Sequence, residues 1–550
     1  MAGTFLLGER KTRPGVYFRR ERRGVTVEGA TNGILAVIFQ SNWGRLNAVV
    51  DVDQTDLNNL DDIFGEGNGV DAIREGLLGG ATTVRAIRVG GEDGTCAKVI
   101  LQTPSATTTE NGTVTLEVGA ENVTRVLEAT TNEDSIIVTG TGGALTLGED
   151  YTVTRNDLGV SVVITGVEDG RGSVTITYTR TVTIATTNAV EISAKFPGTK
   201  SFTASVRNDL ATGKRQFLIY DGTNIFQKVL FEAGGDEAQG LVDALATNRY
   251  FTATKIVAGT LADVDQAALT GGTNPTVTTA NYTKGTEILE RYRWNCIVAD
   301  TDSTEVRAIL NNFVKQSYET GHLGFACIAG KSTEDLETRM AYAASINDEK
   351  IVYVLSGWIG NDGTVYDGWR AAARIGGMIA GCESNVSLTH DVISNALELI
   401  EPFSNGEIIR AEQKGCLVLS LNADDQVQID NAINTLITAG TDMDEGWRKI
   451  RRTKTRFELM DRINRTHDRL VGFVNNDVNG RATVIAAAQK ILNEMIAENK
   501  LVFGSYVEED AGHPPEADSA WFLLHILDLD SLEKIYLTYV FRYGQTFDEE

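Results

Sequence analysis

Hydrophobic and polar positions along the chain follow two different periods. ILAVIF at 34–39 is an unbroken apolar run, the signature of a strand buried on both faces. DAIREGLLGG at 71–80 predicts a short helix, and TVRAIRV at 83–89 a second strand. The alternation resumes at 294. WNCIVA (294–299) reads as a strand. Ser303 can cap a helix whose apolar positions Val306, Ile309, Leu310, Phe313 and Val314 recur at three–four spacing until Gly321. LGFACIA (323–329) and KIVYVLS (350–356) are strands, 333–346 is a helix, and GWRAAARIGGMIAG (368–381) is a helix of small residues. Strands alternating with helices predict a layered α/β sheet.

Residues 101–190 obey another rule. They contain no Lys, Phe, Trp, Cys or Met and are dense in Thr, Val and Gly. GTVTLEV (112–118), SIIVT (135–139), YTVTR (151–155), VSVVIT (160–165) and SVTITYTRTVTI (173–184) alternate with period two between Gly, Asn and Asp breaks. That pattern predicts a small antiparallel sandwich. Residues 191–280 read as an α+β piece, with FTASV at 202–206, RQFLIYD at 215–221 and a helix near Gln239–Ala246.

Toward the C-terminus, RATVIAAAQKILNEMIAENK (481–500) forms an amphipathic helix with Val484, Ile485, Ala488, Ile491, Leu492, Met495 and Ile496 on one face. WFLLHILDLD (521–530) and EKIYLTYVFRY (533–543) read as strands. In the second, Ile535, Leu537, Tyr539 and Phe541 share one side, and Tyr536, Thr538, Val540 and Arg542 the other. An alternating strand this close to a terminus needs a partner, since an unpaired edge invites aggregation. The expected fold class is therefore α/β and α+β multidomain. A layered α/β core (29–100 and 281–422) is interrupted by an all-β Thr-rich sandwich (101–190) and a small α+β insertion (191–280). A C-terminal α+β domain (423–530) follows, with extended arms at 1–28 and 531–550.

Composition narrows the function. Apolar residues make up 42% and charged residues 23% of 550, as in a packed globular protein. No apolar run is long enough to span a membrane. The opening MAGTFLLGERKTRPGVYF carries charges where a secretion signal needs an apolar stretch, so a cytoplasmic site of synthesis is expected. The net charge of −25 opposes direct nucleic-acid binding. Two basic stretches run against it, at 10–23 and at 448–469.

Catalytic patterns are weak throughout. Gly330-Lys331-Ser332-Thr333 follows a strand, but five residues separate Gly324 from Gly330 where a phosphate-binding loop has four. Gly65, Gly67 and Gly69 fail the dinucleotide spacing. His322, His390, His467, His513 and His525 have no zinc-type partners. Cys96, Cys296, Cys327, Cys382 and Cys416 show no CxxC spacing. No catalytic residue, cofactor or metal ligand is expected.

The order of features resembles the contractile-tail sheath proteins of myophages and phage-tail-like bacteriocins. The resemblance is carried by Arg13-Pro14-Gly15-Val16-Tyr17-Phe18 and by GATNGILAVIFQSNWGRLNAVVDV (29–52). It continues through GHLGFACIAG, NDEKIVYVLSGW and GGMIAGCESNVSLTH (376–390). It closes with WRKIRRTKTRFELMDRI (447–463), GFVNNDVNGRATVIAAAQKIL (472–492) and SLEKIYLTYVF (531–541). Each motif is weak; their collinearity over about 1–100 and 285–550 is strong.

The resemblance implies a structural subunit, not an enzyme, that stacks with its own copies in rings around a tail tube. Neighbours would exchange arm strands through Val16, Phe18, Ile535, Leu537, Tyr539 and Phe541. The sheath would shorten to drive the tube through an envelope. Partners would be further copies, the tube protein, and baseplate and terminator proteins, in a tail particle assembled in a bacterial cytoplasm. The insertions would hang outward. Arg448, Arg452 and Arg456 fall at i, i+4 and i+8, on another face from the apolar positions Trp447, Ile450, Phe457, Met460 and Ile463 that recur at roughly helical spacing. They are the expected exposed, tube-facing stripe, with Lys449 and Lys454 as lesser candidates and a merely solvated face as the alternative. An S-layer or adhesin module, or an α/β enzyme with no recognisable site, are the alternatives.

Overall fold

The computed structural model describes residues 32–440 and 443–541, together with two short strands, Ala2–Thr4 and Val16–Phe18, that pair in parallel. The chain divides into two units, Met1–Gly91 with Thr276–Glu550, and Glu92–Pro275.

The first unit is built on seven strands: β1 (Ile34–Phe39), β2 (Val49–Asp53), β3 (Thr83–Arg88), β4 (Cys296–Ala299), β5 (Phe325–Ala329), β6 (Ile351–Val354) and β7 (Cys416–Leu417). Their spatial order is β7-β6-β5-β4-β1-β3-β2, all parallel except the β2 edge. β1 shows why its sequence is apolar throughout. Leu35, Val37 and Phe39 face one helical layer, while Ile34, Ala36 and Ile38 face the other. Helices α1 (Asn68–Leu78) and α4 (Trp369–Gly381) supply Ile73, Leu77, Ile375 and Ile379 to the first layer. Helices α2 (Thr304–Glu319) and α3 (Leu336–Ile346) supply Leu310, Phe313, Met340 and Ala343 to the second.

The small residues of α4 have a packing reason. A Cβ on Gly377 would collide with the Gly76 carbonyl, and one on Gly381 with the Gly80 carbonyl. The backbones of α1 and α4 therefore approach as only glycine allows. The ends left by the long excursion lie together, with the Gly91 N–H donating to the Thr276 carbonyl at 2.8 Å.

Helices α5 (Ile450–Asp468) and α6 (Val478–Ala497) pack with a two-stranded sheet, β8 (Tyr506–Glu509) and β9 (Phe522–His525). Their core is Leu459, Ala488, Ile491, Leu492, Met495, Leu501 and Val507. α5 serves two cores, because Ile450 and Phe457 belong to the α/β layer instead.

Two strand expectations need correction here. The run 521–530 is strand only over Phe522–His525, because β8 is short and pairs no further. Residues 531–541 carry no strand. The alternating pattern is present, but among the described residues no strand pairs with it to complete a ladder. Arg542 and the rest of the expected arm lie outside the described residues.

In the second unit, each of the five Thr-rich runs falls on a strand. One sheet holds Ala106–Val118, Gly172–Ile184, Thr131–Gly140 and Gly143–Ala144; the other holds Val123–Leu127, Gly159–Ile164 and Tyr151–Asn156. Val138, Val160, Val162, Ile164, Val174 and Ile176 fill the space between them. The two insertions do not follow end to end as the sequence suggested. Lys98–Gln102 pairs with Asn188–Ala194, which pairs with Phe251–Lys255. The α+β piece thus begins before the sandwich, which is nested within it. Thr103 and Thr187 form the neck: each backbone N–H bonds the other residue, and the hydroxyls stand 3.1 Å apart.

Candidate assembly site: a basic helix and the root of the C-terminal arm

In open α/β sheets, ligands bind where strand order reverses, outside the carboxyl ends of the strands. Here that point lies between β4 and β1. The chain's own side chains fill it. Asp302 accepts the Trp369 N–H at the start of α4 at 2.7 Å, the place an anion would take. Lys331 pairs with Asp302 at 3.0 Å. Ser332 gives its N–H and hydroxyl to Asp367 at 2.8 and 2.6 Å. Gly330 is glycine because a Cβ there would strike Tyr353 and Arg339, not because the backbone cradles phosphate. Asp300 is buried beside this point, accepting from the Gln40 N–H at 2.8 Å and the Tyr282 hydroxyl at 2.7 Å. Burial pushes its carboxyl up to about 6.

The remaining candidates for chemistry are dispersed. His467 bonds the Ile463 and Val484 carbonyls, His513 pairs with Asp510, and His525 with Glu508. Cys296, Cys327 and Cys416 are buried, and burial raises the thiols of Cys296 and Cys416 to about 12. Among the described residues no group of His, Cys, Asp and Glu is placed to hold a metal ion. Among them, too, no helix is long and apolar enough to cross a membrane.

The charged cluster that stands out surrounds the first half of α5. Arg452 donates through Nε and Nη2 to Asp528, both at 2.8 Å. Arg456 gives Nε to Asp528 at 3.0 Å and two further bonds to Asp444 at 2.9 and 2.8 Å. Lys449 pairs with Asp530 at 2.9 Å and Glu533 at 2.8 Å. Arg451 reaches the carbonyls of Asn385 and Leu529. Burial would raise the Asp528 carboxyl, but Arg452 and Arg456 outweigh it and hold the group below the usual carboxylate range.

The expected exposed stripe is therefore corrected. The side chains of Arg452 and Arg456 are 20% and 12% exposed, and both are engaged by the chain's own acids. Arg448 donates to the Glu412 carbonyl. Lys454 is buried and donates to the Ile379, Ala380 and Cys382 carbonyls at the end of α4, where a cation favours the helix dipole. Of the apolar positions, Ile450 and Phe457 are buried, while Trp447, Met460 and Ile463 are half-buried. Sequence reasoning missed the acids. The signal was present in Asp528-Leu529-Asp530 and Glu533, three carboxylates within six residues.

These contacts fix the root of the C-terminal segment. The Val502 N–H bonds the Leu527 carbonyl at 2.7 Å, the Leu529 N–H bonds the Lys500 carbonyl at 3.2 Å, and Ser387 donates to Glu533 at 3.1 Å. Beyond Glu533 the character changes. Ile535, Tyr536, Leu537, Tyr539, Val540 and Phe541 are all exposed, Ile535 by 68% and Phe541 by 91%. A contiguous apolar stretch of this kind marks an interaction surface. The structure thus places Ile535, Leu537, Tyr539 and Phe541 together on the exposed arm, and Val16 and Phe18 on the short N-terminal strand.

Comparison with known proteins bears on this arrangement. The family model for the phage tail sheath protein central domain matches residues 276–435. A curated relative, the uncharacterized protein YqbK of Bacillus subtilis (strain 168), is 25% identical over 200 residues, spanning 36% of this chain and 40% of its own length. A sheath tail protein from Desulfitobacterium hafniense has the same fold, with TM-score 0.60 and 16% identity, over 94% of this chain and 100% of that one. A sheath tail protein from Listeria innocua matches with TM-score 0.58 and 16% identity, over 91% and 96%. The chain is therefore similar to the phage tail sheath protein central domain over residues 276–435 and shares the fold of the two sheath tail proteins along nearly its whole length.

Proposed function

We propose that the chain is a structural sheath subunit. It polymerises with its own copies around a tail tube and shortens to drive the tube through a target envelope. The observation that carries this reading is the arm: a fixed root followed by an exposed alternating segment with no strand partner among the described residues. Among the described residues no third strand pairs with the two-stranded sheet β8–β9, so a neighbour's arm could add one at its edge. Main-chain bonds worth about 1 kcal/mol each, with apolar burial of the arm side chains, would join each pair of copies. Val16–Phe18 is a second segment suited to the same exchange.

The partners follow from that role: further copies, the tube protein, and the baseplate and terminator proteins at the two ends. No catalysis, cofactor, nucleic-acid contact or membrane insertion is part of it. The particle is a phage tail or a phage-tail-like device, assembled in the host cytoplasm. We assign Arg452 and Arg456 to the arm root. A tube contact by these guanidiniums, or by Arg448, would require Asp444, Asp528 and Glu412 to give them up.

Truncation after Glu533 tests the role of the arm. The full chain is expected to form hollow tubes by electron microscopy, and the truncated chain to sediment as a folded monomer or small oligomer. Normal tubes from the truncated chain would overturn the proposal.

A further inference from the structure

Arg452 and Arg456 stand between two carboxylates that belong to different parts of the chain. Asp528 sits at the root of the arm. Asp444 caps the short turn Glu445–Arg448 ahead of α5, its Oδ1 accepting the Gly446 N–H at 2.9 Å. Each guanidinium approaches both acids. Arg452 binds Asp528 through two bonds of 2.8 Å, and its Nη2 lies 3.8 Å from Asp444. Arg456 binds Asp444 through two bonds and keeps its Nε on Asp528 at 3.0 Å. Asp444 is held apart from the arm by its capping bond. Arg456 is held apart from the arm as well, since its guanidinium carbon lies 4.6 Å from the centre of the Trp447 ring. Gly446 makes the arrangement possible, because a Cβ there would collide with the Arg452 guanidinium.

The asymmetry matters. Removing the one carboxylate that faces a buried guanidinium is strongly destabilising, because the charge is left uncompensated. Here Asp528 can depart and leave a second carboxylate already bonded to Arg456 and within a small side-chain movement of Arg452. We propose that the four residues form a releasable latch: when the arm root leaves α5, Asp444 takes over both arginines, and the arm swings while the helix stays folded. Its use in a sheath, whose copies must move while remaining linked, rests on the role proposed above. Its existence does not.

Hydrogen–deuterium exchange on the full chain tests the latch. Asp528→Asn removes the charge that three guanidinium bonds share, and should speed exchange at 527–533 at least roughly tenfold while α5 keeps its protection. Asp444→Asn should leave 527–533 as protected as in the parent chain. The double variant, with both arginines stripped, should lose protection across the first half of α5. Three results overturn the proposal: Asp528→Asn unfolding α5, Asp528→Asn leaving 527–533 unchanged, or Asp444→Asn freeing the arm root by itself. Absence of tubes from the parent chain would defeat the sheath role, and the exchange data would still judge the latch.

Discussion

Arg374 and Glu75 meet in a buried ion pair, Nη2 at 2.7 Å and Nε at 2.9 Å from Glu75 Oε2, although 299 residues separate them. The pair joins α4 to α1 across the long excursion of the chain. Burial pushes the Glu75 carboxyl up even with Arg374 beside it. Arg374→Ala would leave that carboxylate uncompensated inside the core. The expected loss is about 3–5 kcal/mol, read from urea unfolding of the Met1–Gly91 and Thr276–Glu550 unit.

The same helix pair makes a sharper steric prediction. Gly377→Ala places a methyl against the Gly76 carbonyl, which is backbone and cannot turn aside. A loss of about 1–3 kcal/mol or more is expected from overpacking. Gly406→Ala is the control: it lies on the helix Asn405–Gln413 with nothing within 4 Å of its new methyl. That variant should gain roughly 0.5–1 kcal/mol from helix propensity. Equal effects of the two substitutions would contradict the close approach of α1 and α4.

The Thr103–Thr187 neck predicts that the sandwich can be removed. Replacing 104–186 with a short Gly-rich turn should leave the Lys98–Gln102 and Asn188–Ala194 pairing intact. Calorimetry should then show one transition fewer, with tube formation preserved. An insoluble product would show that the sandwich is needed for the piece surrounding it.

Asp300 gives a pH signature. Its folded pKa is raised from 3.8 to about 6, so the folded form binds the proton more tightly than the unfolded chain. The stability this contributes is fully present below about pH 4 and is lost as pH rises through about 6, roughly 3 kcal/mol in all. Asp300→Asn keeps an acceptor for the Gln40 N–H and a donor for the Tyr282 oxygen. The variant should therefore raise the melting temperature at pH 7.5 and change it little at pH 4, as read by paired thermal scans. A uniform shift at both values would contradict the assignment to Asp300.

The layered core was legible because β1, β4, β5 and β6 are unbroken apolar runs, which only a sheet covered on both faces requires. The sandwich was legible because Thr and Val alternate with period two. The nesting was not, since Lys98–Gln102 is a short strand whose partner lies beyond the whole sandwich. Nor was the pairing of Arg452 and Arg456. Helical periodicity finds the apolar face of a helix, but it carries no information about a carboxylate 76 residues away. The arm was legible as a pattern and invisible as a structure, because a strand exists only with its neighbour.

Cryo-electron microscopy of tubes assembled from the purified full chain tests the central claim most directly, since it shows what the arm pairs with. The account predicts hollow helical tubes in which residues 535–541 run as a strand beside β8–β9 of a neighbouring copy. Discrete particles in place of tubes, or tubes in which 535–541 pair within their own chain, would contradict it.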